Sequence, residues 1–230
     1  MLHRLGAELI ALAVPPACLA CRRPLAGAGE PLCTSCRRAL PWLPVARCPR
    51  CALPVPCRPC PAAGAPFEVA WAPLVHAGPA RALVAALKFR GRLAVADLMA
   101  AQIAAGAPAG LLAPPAALVP VPAHTRRRRA RGFDQAERLA CALGDRARLP
   151  VRTALQRGGP PVRQVGAPRR VRLESGRLAV VVRGSAPADV VLVDDVHTTG
   201  ATLRACAAAL RAAGAQRVAC VTYVRALRGG

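Results

Sequence analysis

Asp194 and Asp195 end the apolar run Val190-Val191-Leu192-Val193 and are followed by Val196-His197-Thr198-Thr199-Gly200-Ala201-Thr202-Leu203. Adjacent carboxylates suit sugar hydroxyls or a metal-bound substrate. The hydroxyl- and glycine-bearing loop after them leaves backbone N–H groups free, and those groups, with the positive first turn of a helix, would hold a phosphate. The elements that must position these groups are legible. Four β-favouring apolar residues predict a strand buried on both faces, as in the middle of a parallel sheet. Leu203 to Ala213 predicts an alanine-rich helix closed by Gly214. The acids then lie at a strand's C-terminal edge, where open α/β sheets bind ligands. A P-loop ATPase is excluded, because G-x-x-x-x-G-K-[ST] needs a Gly-Lys pair and the sole lysine, Lys88, follows leucine.

The second chemical grouping is a set of four C-x-x-C pairs: Cys18 and Cys21, Cys33 and Cys36, Cys48 and Cys51, Cys57 and Cys60. Two such turns complete one tetrahedral Cys₄ site, so four predict two structural Zn²⁺ ions. Order along the chain joins the first pair to the second and the third to the fourth, as in a double zinc ribbon; a cross-braced pairing is the alternative. A disulfide framework needs a secretory route, and a thioredoxin-like role explains one pair, not four. With four cysteine ligands each, neither ion keeps an open position for chemistry. Cys141, Cys206 and Cys220 have no metal spacing and are expected to be buried thiols.

A third grouping is basic. Arg126, Arg127, Arg128, Arg129 and Arg131 precede Gly132-Phe133-Asp134-Gln135, and Asp134 with Glu137 is expected to cap a helix to about Ala147. Arginines ahead of a helix N-terminus form a polyanion site. Lys88 and Arg90 could reach an anionic ligand, or simply complement the end of a helix from Pro79 to about Phe89. The remaining elements are a strand over Val69 to Val75, a helix from Leu93 to Ala105, a proline-limited strand Leu118 to Pro122, a strand Leu178 to Val182, and a strand Val218 to Val224 closing the sheet. Thr153 to Arg177, with Gly158-Gly159-Pro160-Pro161, is read as a mobile loop, Pro61 to Pro66 as a linker, and His197 as a variable loop position.

At 230 residues the chain fits one ordinary domain plus a small module. The formal charge of +22 falls to about +18 if eight thiolates hold two Zn²⁺. Such a surface favours anionic partners: phosphorylated substrates, nucleic acid or an anionic membrane face. Aromatics make up only 3%, which argues against strong stacking on single-stranded bases. No stretch is long and apolar enough to span a membrane. Leu2 to Val14 is interrupted by Glu8 and followed by Pro15 and Pro16, so a short amphipathic helix is expected rather than a signal sequence, and with it a cytoplasmic location.

The acidic-pair string resembles the PRPP (phosphoribosyl pyrophosphate) signature of type I phosphoribosyltransferases. That resemblance implies ribose hydroxyls on Asp194 and Asp195 and the 5′-phosphate on Thr198, Thr199, Gly200, Ala201 and Thr202. Leu87-Lys88-Phe89-Arg90-Gly91, then Val-Pro and an R-x-R-G-F-[ND]-Q segment, then the acidic pair, is similar in order to ComF-type competence proteins. These join an N-terminal zinc ribbon to a phosphoribosyltransferase domain. The resemblance implies an α/β, type I phosphoribosyltransferase fold with a mainly parallel central sheet over residues 63–230, preceded by a Cys₄ zinc-ribbon module over 1–62. It places Arg126 to Gln135 near the pyrophosphate end of PRPP, with Lys88, Arg126, Arg129 and Arg131 as the groups that meet pyrophosphate. Asp134 stands where the family usually has asparagine, and Ala167 and Ser175 where its closing loop shows leucine and asparagine.

The implied activity is binding of PRPP with Mg²⁺ and transfer of its phosphoribosyl group to a nitrogen acceptor, releasing pyrophosphate. The alternative is a nucleic-acid-binding protein in DNA uptake during natural transformation, with single-stranded DNA and uptake machinery as partners. A third reading is a regulatory PRPP sensor.

Overall fold

A computed structural model describes residues 16–25, 27, 30–90, 93–123, 132–158 and 179–227. The expected first helix and the arginine run lie outside them. The architecture is α/β, built on a five-stranded sheet whose named ladders are all parallel. β1 (Val69–Trp71) and β2 (Leu74–Val75) both pair with β7 (Arg217–Arg225), which pairs with β6 (Asp189–His197), which pairs with β3 (Ala117–Pro120). The single strand expected over Val69 to Val75 is divided, because Ala72 and Pro73 interrupt it. β7 is an inner strand rather than the one that closes the sheet, its apolar run suiting it to neighbours on both sides.

Strand periodicity divides the core in two. Val191 and Val193 of β6 and Val221 and Tyr223 of β7 join the core that holds α2 (Gly78–Arg90), α3 (Leu93–Gly106) and α4 (Gln135–Ala147). Val190, Leu192, Val218 and Cys220 join the other core, with Leu203, Cys206 and Leu210 of α5 (Ala201–Ala212). Leu192 is fully buried in an inner strand, so Leu192→Ala is worth about 2–5 kcal/mol of stability.

The helix ends follow local chemistry. Asp134 is the N-cap of α4, its carboxylate accepting from the backbone N–H groups of Ala136 and Glu137, and its Oδ2 also accepts from Ala123 N–H at 2.9 Å. One acceptor side chain therefore fixes both the start of α4 and the exit from β3. On α4, Ala136, Leu139, Ala140 and Leu143 are buried while Cys141 is exposed. The expectation that Cys141 is buried fails because its position falls on the solvent side of an amphipathic helix; Cys206 and Cys220 are buried as expected.

One further difference from the sequence expectations concerns a loop. Leu155–Arg157, read as part of a loop, forms β4 and pairs antiparallel with β5 (Val180–Val182). Beyond Arg157, most of that loop lies outside the described residues. As its prolines imply, β3 forms a regular ladder with β6 and, among the described residues, a single bridge, Leu118 with Val151, on its other side.

The cysteine-rich segment packs around the β1–β2 edge. Leu43 N–H donates to Pro73 C=O at 2.9 Å, Val75 N–H to Pro41 C=O at 2.8 Å and Ala70 N–H to Pro49 C=O at 2.9 Å. These bonds satisfy edge groups that would otherwise invite another strand. Cys18, Leu32, Cys36, with α1 (Thr34–Arg38) and Leu40, join the α2–α4 core, whereas Cys51, Ala62, Ala65 and Phe67 join the α5 core. The Pro61 to Pro66 segment is anchored too: Arg204 donates to the carbonyls of Pro61 and Ala63, and Arg211 to that of Pro66 at 3.3 Å.

Candidate functional site

β6 does not stop at the acidic pair. Its ladder with β7 continues through Asp194 opposite Thr222 to His197 opposite Arg225, so both acids and His197 are strand residues. Asp195 follows Val191 and Val193 toward α2 and meets Lys88, whose Nζ lies 2.8 Å from Oδ2. Asp194 Oδ1 accepts from Asp195 N–H at 2.8 Å. Burial first, and the neighbouring Asp195 charge second, hold the Asp194 carboxyl well above the usual carboxylate range. Ionising Asp194 is therefore costly, and a cation or a set of hydroxyl donors would relieve that cost.

The turn after β6 is built around Gly200. Its φ is +80°, and a Cβ there would stand 2.9 Å from His197 Nε2. Glycine is required by both backbone and space. Gly200 opens α5, and Thr199 Oγ1 accepts from Ala201 N–H at 3.3 Å. His197 is 3% exposed, contrary to a variable loop position, because strand pairing carries it inward. Burial, then the Arg225 charge, lower its pKa to about 4, so the ring is neutral near pH 7.

Lys88, Arg157, Asp194, Asp195, Thr198 and Thr202 face a pocket of about 310 Å³, with His76 also on its wall. Burial, then Lys88 and Arg81, lower the His76 pKa. A smaller hollow of about 140 Å³ adjoins it and shares Pro122, Ala123, Asp134 and Arg157. Of the residues singled out in sequence, Lys88, both acids, Thr198 and Thr202 thus meet around one space, with Thr199, Gly200 and Ala201 forming the turn between the two threonines. Arg126, Arg129 and Arg131 lie outside the described residues. Sequence reasoning missed His76 and Arg157, which share the pocket with Gln135, the last residue of the segment that the resemblance places toward pyrophosphate. Arg157 was hidden in an unrecognised strand; His76 carries no local motif.

The cysteines gather in chain order. The sulfurs of Cys18, Cys21, Cys33 and Cys36 lie within 4.8 Å of one another, as do those of Cys48, Cys51, Cys57 and Cys60. Four thiolates about 2.3 Å from one ion at tetrahedral angles stand about 3.8 Å apart. The Cys21–Cys33, Cys48–Cys60 and Cys51–Cys57 sulfur separations are 3.7, 3.8 and 3.7 Å. Four thiols at these separations are a donor set that fits a tetrahedral zinc ion. In the first cluster the Ser35 hydroxyl chiefly lowers the Cys33 thiol to about 6, while burial raises Cys36. In the second, burial opposes but hydrogen bonds from Cys57 and the Arg50 and Cys51 backbones bring Cys48 to about 7, while burial raises Cys51.

Residues 173–229 match the family model of the phosphoribosyl transferase domain. The matched span carries β6, the turn at Gly200 and the start of α5, which form the acid and threonine walls of the pocket, together with β7, which pairs with β6. The search of curated proteins gives no match. Among the described residues, no helix is long and apolar enough to cross a membrane.

Proposed function

We propose that this protein binds PRPP with Mg²⁺ and transfers its phosphoribosyl group to a nitrogenous acceptor with release of pyrophosphate. The observation that carries the reading is the convergence of Asp194, Asp195, Lys88, Thr198 and Thr202 on one pocket at the C-terminal ends of parallel strands. Asp194 and Asp195 hold the ribose hydroxyls, and the Thr198–Thr202 turn with the start of α5 holds the 5′-phosphate. Lys88 neutralises Asp195 and presents positive charge toward the pyrophosphate side, where Arg126, Arg129 and Arg131 belong by resemblance.

Two adjacent carboxylates are oxygen donors of the kind that hold Mg²⁺ together with substrate phosphates. The ion supplies charge stabilisation for departing pyrophosphate. The chain's own part is to orient the ribose and to keep a cation-rich wall beside the leaving group. Gln156 and Glu137, on the adjoining hollow, can hydrogen-bond a nitrogenous acceptor. The two four-cysteine clusters hold one structural zinc each, and the chain divides into a cysteine module over residues 1–62 and a phosphoribosyltransferase domain over 63–230. These parts together support membership of the ComF-type competence proteins.

Isothermal titration with PRPP and Mg²⁺, comparing wild type with the Asp194→Asn/Asp195→Asn variant, tests the reading. Saturable binding that the variant loses is expected; absent wild-type binding, or equal binding by both, would overturn it.

Exposed arginines on the cysteine segment, Arg22, Arg23, Arg38 and Arg58 among them, favour a second reading. In it the cytoplasmic protein contacts single-stranded DNA during uptake, beside the uptake machinery, and PRPP regulates that contact. DNA affinity should then fall steeply with salt and change when PRPP is added; DNA affinity indifferent to PRPP removes the regulatory part.

A further inference from the structure

Arg225 is the last residue of β7 and is only 3% exposed. Its Nε donates to the carbonyl of Cys51 at 2.8 Å, and its Nη1 donates to the carbonyls of His197 and Ala226 at 2.8 and 2.9 Å and to that of Thr198. A buried guanidinium is stable only where such acceptors are fixed in place. Apart from Ala226, its own neighbour in the chain, these acceptors come from two different features. Cys51 is a member of the second four-cysteine cluster and is fully buried, with Ala52 after it held at φ 58° in the knuckle turn. His197 and Thr198 are the residues by which β6 enters the phosphate turn, and Thr198 faces the pocket.

We propose that Arg225 is a positioning residue through which the second four-cysteine cluster orders the phosphate turn that begins at Thr198. The inference rests on reading that cluster as a metal site and that turn as a phosphate site. A metal ion on Cys48, Cys51, Cys57 and Cys60 fixes the knuckle and hence the Cys51 carbonyl. That carbonyl orients the Arg225 fork, and the fork sets the carbonyls of His197 and Thr198. Coupling of this kind is reciprocal: a ligand that immobilises Thr198 must also retain the metal more firmly. The first cluster packs into the opposite core, on the α2–α4 side of the sheet, and serves as an internal control.

The test uses the zinc-loaded full chain. Hydrogen exchange at the amides of residues 197–202 is compared between wild type, Cys57→Ser/Cys60→Ser and Cys21→Ser/Cys33→Ser. Loss of the second cluster is expected to speed exchange there about tenfold or more while α4 stays protected, and loss of the first to leave it unchanged. A colorimetric chelator then reads zinc release with and without PRPP. In wild type PRPP is expected to slow release of one of the two zincs about tenfold, and in Arg225→Gln, with both zincs still bound, to slow neither. Exchange at 197–202 that ignores the second cluster overturns the proposal, as does PRPP protection of zinc that survives in Arg225→Gln. If Arg225→Gln does not fold, the cysteine comparison still decides. A wild type that fails to bind PRPP but shows cluster-dependent exchange defeats the phosphoribosyltransferase reading and leaves this coupling standing.

Discussion

Lys88 Nζ lies 2.8 Å from Asp195 Oδ2, so a helix of one core supplies the counter-charge for a carboxylate at the end of the central strand. Asp194 beside it is raised by burial and by the Asp195 charge, and Lys88 opposes that rise. Lys88→Met removes the opposition and leaves Asp195 buried without it. Because Lys88 is about a quarter exposed, solvent screening reduces the loss, and about 1–2 kcal/mol is expected at pH 8. At pH 5 Asp194, raised further without Lys88, takes up a proton more readily, so the variant should lose less there. Urea unfolding at both pH values checks this, and an equal loss at each would contradict it.

Gly200→Ala tests the turn after β6 and the phosphate role proposed for it. The φ of +80° is strained for any L side chain, and the new methyl would meet the His197 ring at 2.9 Å. A loss of about 1–3 kcal/mol is expected, with weaker PRPP binding. Adding His197→Ala relieves the contact but not the dihedral, so the double variant should recover only part of the loss. Complete recovery in thermal unfolding would show that φ at this position costs nothing.

The strand, turn and helix around the acids were legible because each uses a strong local signal: a β-branched apolar run, a glycine before a helix, and an alanine-rich segment closed by glycine. Asp134 was legible as a cap for the same reason. The extension of β6 to His197 was not, because polar residues at a strand end look like loop until the partner strand is known; register with Arg225 supplies that information. β4 was missed because Leu155-Gln156-Arg157 is short and sits beside Gly158-Gly159. Arg225 gave no signal at all. In a chain whose basic residues are almost all arginine, one buried arginine reads like its exposed neighbours until its carbonyl partners are in view.

His197 makes stability depend on pH with a definite sign. Its folded pKa of about 4 lies below the ordinary 6.5, so between those values the unfolded chain binds the proton and the folded chain does not. Stability is complete above the unfolded value and falls as pH drops toward 4. From pH 8 to pH 5.5 this one group should withdraw about 1 kcal/mol. His197→Gln removes that slope, so wild type minus variant, measured by urea unfolding with zinc content verified at each pH, isolates it. Parallel pH profiles for the two proteins would show that His197 titrates normally.

The cysteine clusters predict how metal binding couples to protons. Zinc takes thiolates, so each Cys₄ site must shed whatever protons its thiols still carry. In the apo protein Cys33 titrates at about 6 and Cys48 at about 7, while burial keeps Cys36 and Cys51 protonated. At pH 7.5, Cys33 is already largely ionised and Cys48 more than half, so fewer than four protons should leave per zinc. At pH 5.5 both are mostly protonated, the release per zinc rises toward four, and affinity falls accordingly. Calorimetry of zinc uptake in buffers of different ionisation enthalpy gives the count directly, and metal analysis should find about two zincs per chain. A release of four protons per ion at pH 7.5 would mean that the Ser35 and backbone hydrogen bonds to these sulfurs do not hold thiolates in the metal-free protein.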